Sequence, residues 1–370
     1  MNGQWIGDYE GSNQGQIIVN VDELSDHYRG IAYLNEIQSN LPGTAAPFLT
    51  SDKNNDFKFR VEVLPLHPQT RMIDTWENVK HFFPNQVIAP SYADVTGKWN
   101  QENLHLNWRT DINTFGTCIL PRSRASAPSD LPAKKMSWIE FKNYIDELEG
   151  HNYLFRGQRK PWRLRTAFHR HGRADLYRFL TEDIQILHKN LSARTRHYFN
   201  LNNPDENGAF FNLVQHHGYP TPLLDWTYSP YVAVFFAYRA ISNMEAAQAD
   251  ASENVRIHVF NHSQWKRDFP QFQQLLTSAL HFSLAEFIAI DNERMIPQQA
   301  TSSVTNIDDV ESYIKSKENH GKIYLTAIDL PVSERKKVIQ ELQFMGITAG
   351  ALFPGLDGAC QELKERRFEW

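Results

Sequence analysis

The chain has 370 residues, and its 41% hydrophobic and 22% charged residues are typical of folded globular domains rather than of disordered chains. At ordinary domain sizes this length predicts about two domains. The formal net charge of −5 argues against a general nucleic-acid binder, which needs many cationic groups to contact phosphates. Two cysteines, Cys118 and Cys360, are too few for a disulfide framework or a thiolate metal site.

Nothing in the sequence indicates export or membrane insertion. The first residues, MNGQWIGDYEG, have neither a cationic start nor an apolar run, so we expect no signal peptide. No stretch approaches the roughly 18 consecutive apolar residues that a spanning helix needs. The expected location is therefore cytoplasmic, with no membrane partner.

The first 120 residues have the rhythm of short β-strands. Apolar residues alternate in the runs 15–21, 27–34, 57–63 and 104–108, and glycine, asparagine, aspartate and proline separate these runs. This pattern predicts an all-β domain over 1–120, either an antiparallel barrel or a sandwich. Such a domain is either a scaffold and interaction module or a sensor, since about eight strands can enclose one small ligand.

Residues 121–135, PRSRASAPSDLPAKK, have the composition of a linker, and the pattern changes after them. Over 136–370 helices are predicted at 138–148, 174–199, 206–215, 230–240 and 333–345, with strands at 153–155, 255–260 and 322–328. A further run, 279–290, is helix-like. Strands and helices without regular βαβ alternation predict an α+β domain.

Several familiar motifs are absent from the chain. There is no phosphate-binding GxxxxGK[ST] loop, no HExxH, no CxxC and no GxSxG. The pairs His169 with His171 and His216 with His217 have no third ligand at a readable spacing. We therefore expect no metal site.

The first segment that could carry chemistry is 155–164, FRGQRKPWRL. A buried strand ends in Arg156, whose guanidinium could bind phosphate or carboxylate. Gly157 either lets the backbone turn or allows a ligand to approach closely. An ion pair that stabilises the domain is the alternative role for Arg156.

The second segment, 215–237, places hydrogen-bonding side chains within an aromatic and apolar stretch. They either form an internal network or line a pocket, because buried polar groups need partners. The polar residues are Gln215, His216, Thr221, Asp225, Thr227 and Ser229. Ser229 before Pro230 also fits a helix start, with serine as the N-cap.

The third segment, 291–301, follows the helix-like run and contains Arg294, Gln298 and Gln299. These side chains could reach a polar ligand. The alternative is a solvated loop.

Together the three segments resemble the FRG domain family over about 136–370. Phe155-Arg156-Gly157 corresponds to the signature that names the family, and QHHGYPTPLLDWTYSPYVAVFFA resembles its most specific stretch. Segment 294–304, RMIPQQATSSV, is similar to its third motif, although Ala300 and Thr301 replace the usual glycine and phenylalanine. The resemblance implies a bacterial defence or toxin-type effector.

The order of the segments is also similar to that of ADP-ribosyltransferases of the Arg-Ser-Glu class, which implies an ADP-ribosyltransferase-like enzyme with NAD as substrate. The resemblance implies catalytic roles for Arg156, Asp225, Thr227 and Gln298. The implied NAD-binding residues are Arg156, Gly157, Gln158, Gln215, His216, Thr221, Trp226, Ser229 and Arg294. The third motif has glutamine where that class has glutamate, so Asp225, Glu286 or Glu293 would supply the negative charge.

Two other functions stay open at this point. The domain could be a non-enzymatic module that recognises a nucleotide or a protein, or a metal-independent nuclease-type toxin that uses His216 with Asp225 as an acid–base pair. The expected partners are a small anionic nucleotide and a protein acceptor or regulator that contacts the β domain.

Overall fold

The computed structural model describes residues 1–38 and 40–368, so the last two residues of the predicted second domain lie outside it. The first 121 residues, in which apolar residues alternate with polar ones, form one antiparallel sheet. Within the described residues its nine strands are β1 (Gly3–Gly11), β2 (Gly15–Glu23), β3 (Tyr28–Glu36), β4 (Thr44–Leu49), β5 (Asp56–Glu62), β6 (Leu64–Pro65), β7 (Tyr92–Trp99), β8 (Asn103–Thr110) and β9 (Phe115–Pro121). Helix α1 (Trp76–Val79) and a 3₁₀ turn precede β7.

The sheet curls into a nearly closed barrel with the strand order β5-β7-β8-β9-β1-β2-β3-β4-β6. Strands β4 and β5 face each other across the gap, where the rings of Phe48 and Phe59 stack at 5.4 Å. Trp5, Val21 and Leu104 are among the least exposed side chains of the barrel core. The predicted all-β character of this part is confirmed, and the barrel is favoured over the sandwich.

The remaining chain is a mixed α/β region around a second sheet with the order β10-β16-β13-β11-β12-β15-β14. Only the β10–β16 pair is parallel among the described strands. The strands are β10 (Ala133–Lys135), β11 (Tyr153–Gln158), β12 (Leu223–Thr227), β13 (Asn254–Asn261), β14 (Phe282–Ala285), β15 (Ala300–Thr305) and β16 (Leu325–Pro331).

Helices cover this sheet and supply its apolar clusters. They are α2 (Trp138–Asp146), α3 (Ala167–Arg170), α4 (Leu176–Arg178), α5 (Ile184–Leu191), α6 (Pro204–His216), α7 (Pro230–Tyr238), α8 (Asn243–Gln248), α9 (His262–Asp268), α10 (Val310–Lys317), α11 (Arg335–Phe344), α12 (Ala349–Leu352) and α13 (Leu356–Phe368). The mixed character of the region agrees with the α+β prediction. Its likeness to ADP-ribosyltransferases stays a prediction.

Two predicted helices are wrong. Over 174–199 the helix is interrupted by a π-helical turn, Phe179–Asp183, and ends at Leu191. Over 279–290 the chain instead forms strand β14, which pairs antiparallel with β15. A short apolar run cannot distinguish a helix from a buried strand, and here the pairing with β15 decides.

The proline-rich segment 121–135 connects the two sheets, but it packs along the second domain rather than forming a free tether. Leu131 is buried in an apolar cluster of that domain, and residues 133–135 form β10. Asp130 pairs with Arg163 at 2.5 Å, and the Ser129 hydroxyl oxygen accepts a hydrogen bond from Arg256 at 2.6 Å. Side-chain contacts with the second domain therefore order a segment whose own sequence favours no regular structure.

Candidate functional site

Strand β11 brings the first two sequence segments together. It lies between β12 and β13, and Phe155 is paired with Thr227 of β12. One residue further along β11, the Nη1 atom of Arg156 donates a hydrogen bond to the backbone carbonyl oxygen of Asp225 at 2.6 Å. The arginine of the first segment is therefore anchored to the aspartate of the second.

The Asp225 side chain is held from a second direction by helix α6. The Nε2 atom of Gln215, in the last turn of α6, donates to Asp225 Oδ1, while its Oε1 atom accepts from the Thr221 hydroxyl. Both ends of the Gln215 amide are thus satisfied, as a half-buried amide requires. The described residues include no ion-pair partner for the Asp225 carboxylate.

Two guanidinium groups lie near this single carboxylate. Burial lowers the pKa of Arg156 to about 10, with Asp225 opposing and Arg170 adding to the decrease. Arg170 also has a pKa lowered by burial, and it donates to the Arg165 carbonyl oxygen at 2.7 Å. The Nε atom of Arg156 is buried and has no hydrogen-bond partner in the part of the chain that the structure describes. Arg156 and Arg170 with Asp225 form what we call the arginine cluster.

Gly157 is required for packing. A Cβ atom at this position would lie 1.8 Å from the carbonyl oxygen of Ala233 in α7. A clash with helix backbone cannot be relieved by a side-chain rotation. Close contact between β11 and α7 therefore explains the glycine without a ligand.

His216 is tied into a network of amide groups. Its Nδ1 accepts from the Nδ2 of Asn292 at 2.6 Å, and the same Nδ2 group donates to Asn212 Oδ1 at 2.6 Å. Arg294 Nη1 donates to the His216 carbonyl oxygen at 2.7 Å. Burial lowers the pKa of the His216 imidazole, partly opposed by Asp225. Because Nδ1 accepts from Asn292, the proton of a neutral ring lies on Nε2, so neither ring nitrogen is free to act as a base. Among the described residues His216 also makes no hydrogen bond to Asp225, the partner that the nuclease alternative requires.

Three other predicted site residues bind one another rather than the arginine cluster. Thr227 Oγ1 donates to the Gln298 carbonyl oxygen at 2.7 Å and accepts from the Ser229 backbone nitrogen at 3.0 Å. Gln298 Nε2 donates to the Leu352 carbonyl oxygen at 2.9 Å. The Ser229 side chain caps α7, accepting from Val232 N at 3.2 Å.

The remaining predicted residues have partners outside the arginine cluster. Trp226 is 2% exposed within an apolar cluster, and its Nε1 donates to Ser303 Oγ at 3.0 Å. Gln158 Nε2 donates to the Trp162 carbonyl oxygen at 2.8 Å. Of the alternative carboxylates, Glu286 is exposed and pairs with Lys266 at 2.7 Å, whereas Glu293 lines a groove.

That groove lies beside the end of α6 and has a volume of about 680 Å³, within the range of small-molecule sites. Apolar side chains form part of its wall, and both cationic and acidic groups line it. Its lining residues are Leu187, Leu191, Arg194, Thr195, Arg196, Leu213, Val214, His217, Gly218, Tyr219, Pro220, Asp291 and Glu293. We call it the α6 groove.

One short stretch of chain connects the α6 groove with the arginine cluster. Gln215 contacts both Asp225 and Thr221, whereas residues 217–220, between Gln215 and Thr221 in the chain, line the groove. Sequence reasoning identified this stretch but missed Arg194 and Arg196. The basic run 194–197 was a signal for them, but it carried no information on which face it would occupy.

The family comparison matches part of this arrangement. Residues 151–246 match the model of the FRG domain, a range that includes Arg156, Gln215 and Asp225 but excludes Arg294 and Gln298. The comparison with curated proteins gives no match. The matched range begins just before β11 and ends within α8, so it contains the strand pair and the helix that build the arginine cluster. The chain therefore contains an FRG domain.

Proposed function

We propose that the FRG domain binds NAD and cleaves the bond between nicotinamide and ribose, transferring ADP-ribose to a protein acceptor or to water. The observation that carries the proposal is the arginine cluster. In it, among the residues that the structure describes, the buried Nε of Arg156 has no partner and the nearby Asp225 carboxylate has no ion pair. Unmatched buried donors of this kind favour an anionic ligand, since leaving them unpaired is costly.

The charges of NAD during the reaction are complementary to those of the arginine cluster. The pyrophosphate is an anion that Arg156 and Arg170 would bind with charge-assisted hydrogen bonds. When the glycosidic bond breaks, nicotinamide leaves with the bonding electrons and the ribose carbon becomes positively charged. The Asp225 carboxylate would stabilise that charge, while water or an acceptor group adds to the carbon and gives its proton to solvent.

The α6 groove offers room for the rest of the dinucleotide. Tyr219 and the leucines supply surfaces on which a base can pack, and Arg194 and Arg196 supply positive charge. In this arrangement residues 215–221 contact the ribose and pyrophosphate at the arginine cluster as well as the base in the α6 groove. Loss of cellular NAD would then account for a toxic effect on the host cell.

The test uses the purified full-length chain, with nicotinamide release from NAD measured by chromatography and ADP-ribose transfer measured with labelled NAD and cell extract. Asp225→Asn and Arg156→Gln are expected to lower the rate by about 10²-fold or more, as removal of one charge-stabilising group does elsewhere. Asp146→Asn and Arg267→Gln, at exposed positions of the same domain, are matched controls expected to retain the rate.

Three outcomes would reject or alter the proposal. Intact NAD with no labelled product, with and without extract, contradicts enzymatic activity. NAD binding without cleavage favours the non-enzymatic recognition module. Cleavage that persists in Asp225→Asn and Arg156→Gln, both shown by circular dichroism to be folded, removes the arginine cluster from the active site.

A further inference from the structure

The β-barrel contains a pocket that is separate from the FRG domain. It has a volume of about 200 Å³, and strands on both sides of the barrel, among them β1, β3, β5 and β8, contribute to its wall. Its lining is mainly apolar and includes Ile17, Leu34, Val61 and Leu106. An apolar cavity of about 150 Å³ is large enough to bind benzene, so a ring-sized group fits here.

One wall of the pocket carries a buried carboxyl group beside a phenol hydroxyl. The Tyr9 hydroxyl and the Oε2 atom of Glu36 are both buried and interact with each other, and no cationic side chain pairs with Glu36 among the described residues. Glu36 is also the only charged residue that lines the pocket in the described part of the chain. Burial raises the pKa of the Glu36 carboxyl, and Tyr9 and Asn13 act in the opposite direction. The pocket therefore contains an acidic group that has no cationic partner among the described residues.

Aromatic rings flank this acidic group. Tyr9 and Trp108 both line the pocket, and their rings meet edge to face with centroids 5.5 Å apart. Each ring lies against a glycine: added Cβ atoms would lie 2.8 Å from Tyr9 Cε1 at Gly15 and 2.2 Å from Trp108 Cζ2 at Gly116. At Gly15 and Gly116 a larger residue would collide with the ring beside it. Aromatic faces attract cations as well as apolar groups.

Exposed apolar side chains surround the entrance. Ile88 is 68% exposed, Phe115 52% and Ile112 37%, and all three line the pocket. Large apolar side chains grouped around a concave site are typical of ligand-binding surfaces rather than of ordinary solvated surface.

We propose that the barrel binds a small organic cation, a ring-sized apolar group that carries a protonated amine. The ring occupies the apolar part of the pocket, and the ammonium group donates hydrogen bonds to Glu36 Oε2 and the Tyr9 hydroxyl oxygen. A neutral alcohol satisfies these acceptors only in part, and a carboxylate is repelled by Glu36. The pocket shares no lining residue with the α6 groove, so the proposal is independent of the NAD activity.

The experiment compares three probes that share a phenyl ring on a two-carbon chain, on the full-length protein: phenethylamine, 2-phenylethanol and 3-phenylpropanoate. Binding is measured by calorimetry and by NMR titration. Phenethylamine is expected to bind about tenfold or more tightly than the alcohol, since a charge-assisted bond replaces a neutral one, and the carboxylate is expected not to saturate the site. Absence of phenethylamine binding, or equal binding of the alcohol or the carboxylate, overturns the proposal.

Variants locate the binding site. Glu36→Gln, which preserves side-chain size, is expected to lose about tenfold or more of the amine affinity and little of the alcohol affinity. Tyr9→Phe keeps the aromatic wall and is expected to weaken both probes. The matched control is Glu10→Gln, at an exposed position of β1. Unchanged amine affinity in folded Glu36→Gln overturns the assignment of the acidic group.

Discussion

Three buried histidines of the second domain titrate far from neutrality. Burial lowers the pKa of His169 and of His281 to about 4, and it lowers the pKa of His258 well below its usual value. His169 contacts the Thr166 hydroxyl through Nδ1 at 2.7 Å, whereas its Nε2 has no partner among the described residues. These imidazoles therefore stay neutral in the folded protein until the solution is strongly acidic.

We predict that His169 makes the protein sensitive to acid between pH 6.5 and 4. In that window the unfolded chain binds a proton that the folded chain does not, so stability is complete above about pH 6.5 and is lost as the pH falls towards 4. The full effect of this shift is about 3 kcal/mol. The measurement is the free energy of urea unfolding from pH 4 to pH 7.

His169→Gln should make this pH dependence shallower, even if the variant is less stable at pH 7, while His281 and His258 keep their own contributions. His81→Gln, at an exposed position of the barrel, is the control and should keep the wild-type slope. An equal slope in His169→Gln and the wild type would show that the buried imidazole does not cause the acid sensitivity.

At the scale of elements, helix α7 explains why one residue of a functional motif has a structural role. Its sequence begins with Ser229 and Pro230, the preferred residues for an N-cap and a first helical turn, and the structure has that cap. Helix α2 also has a serine N-cap, Ser137, which forms a capping box with Glu140. Ser229 therefore needs no ligand to account for its identity.

We predict that Ser229→Ala and Ser137→Ala each lower the free energy of unfolding by about 1 kcal/mol, because each leaves a backbone nitrogen of the first turn without its acceptor. Denaturant unfolding measures the loss. If Ser229 is only a cap, both variants also keep the affinity of the folded protein for NAD. A selective loss of NAD binding in Ser229→Ala would contradict the structural role.

For the whole molecule, the barrel and the second domain are joined by buried contacts. Asp22 of β2 is fully buried, and its Oδ1 accepts from the backbone nitrogens of Ala174 at 2.8 Å and Asp175 at 3.1 Å. Its Oδ2 pairs with Arg173 at 2.5 Å. Nearby, Gln4 of β1 bonds to the Asn306 carbonyl oxygen and to the Asp308 backbone nitrogen.

An apolar cluster adds to this interface. Tyr33 and Leu66 of the barrel are buried in it, and Tyr177 and Leu280 of the second domain pack against it. Removal of residues 1–120 would expose this surface along with the polar groups that Asp22 and Gln4 satisfy. A change in activity after that deletion would therefore reflect lost stability of the second domain as well as the loss of any control by the barrel.

We predict that Asp22→Asn destabilises the protein by about 3 kcal/mol, because the variant keeps one acceptor oxygen but leaves Arg173 without its charge partner on that side. Unfolding should be followed by both fluorescence and circular dichroism, because weaker coupling would separate the transitions of the two domains. Asp8→Asn, at an exposed position of β1, is the control. A single transition of unchanged midpoint would contradict the role of Asp22.

The sequence by itself predicted the β character of the first domain, the mixed character of the second and the segments that contain Arg156 and Asp225, but it did not single out Arg170, the third member of the arginine cluster. These depend on local signals: period-two alternation, the caps at Ser137 and Ser229, and the motif around Arg156 and Asp225. The short apolar run at 282–285 and the π-helical turn at 179–183 were not predictable, because apolar residues fit more than one backbone there.

Only the tertiary structure decided which polar residues meet. It joined Arg156 to the Asp225 carbonyl, separated Thr227 and Gln298 from that cluster, and put Gly157 against α7. It also placed Tyr9 and Glu36, 27 positions apart in the chain, in one pocket. Local sequence determines which backbone each segment favours, but a site depends on strand register and helix docking, which are set by contacts between residues distant in the chain.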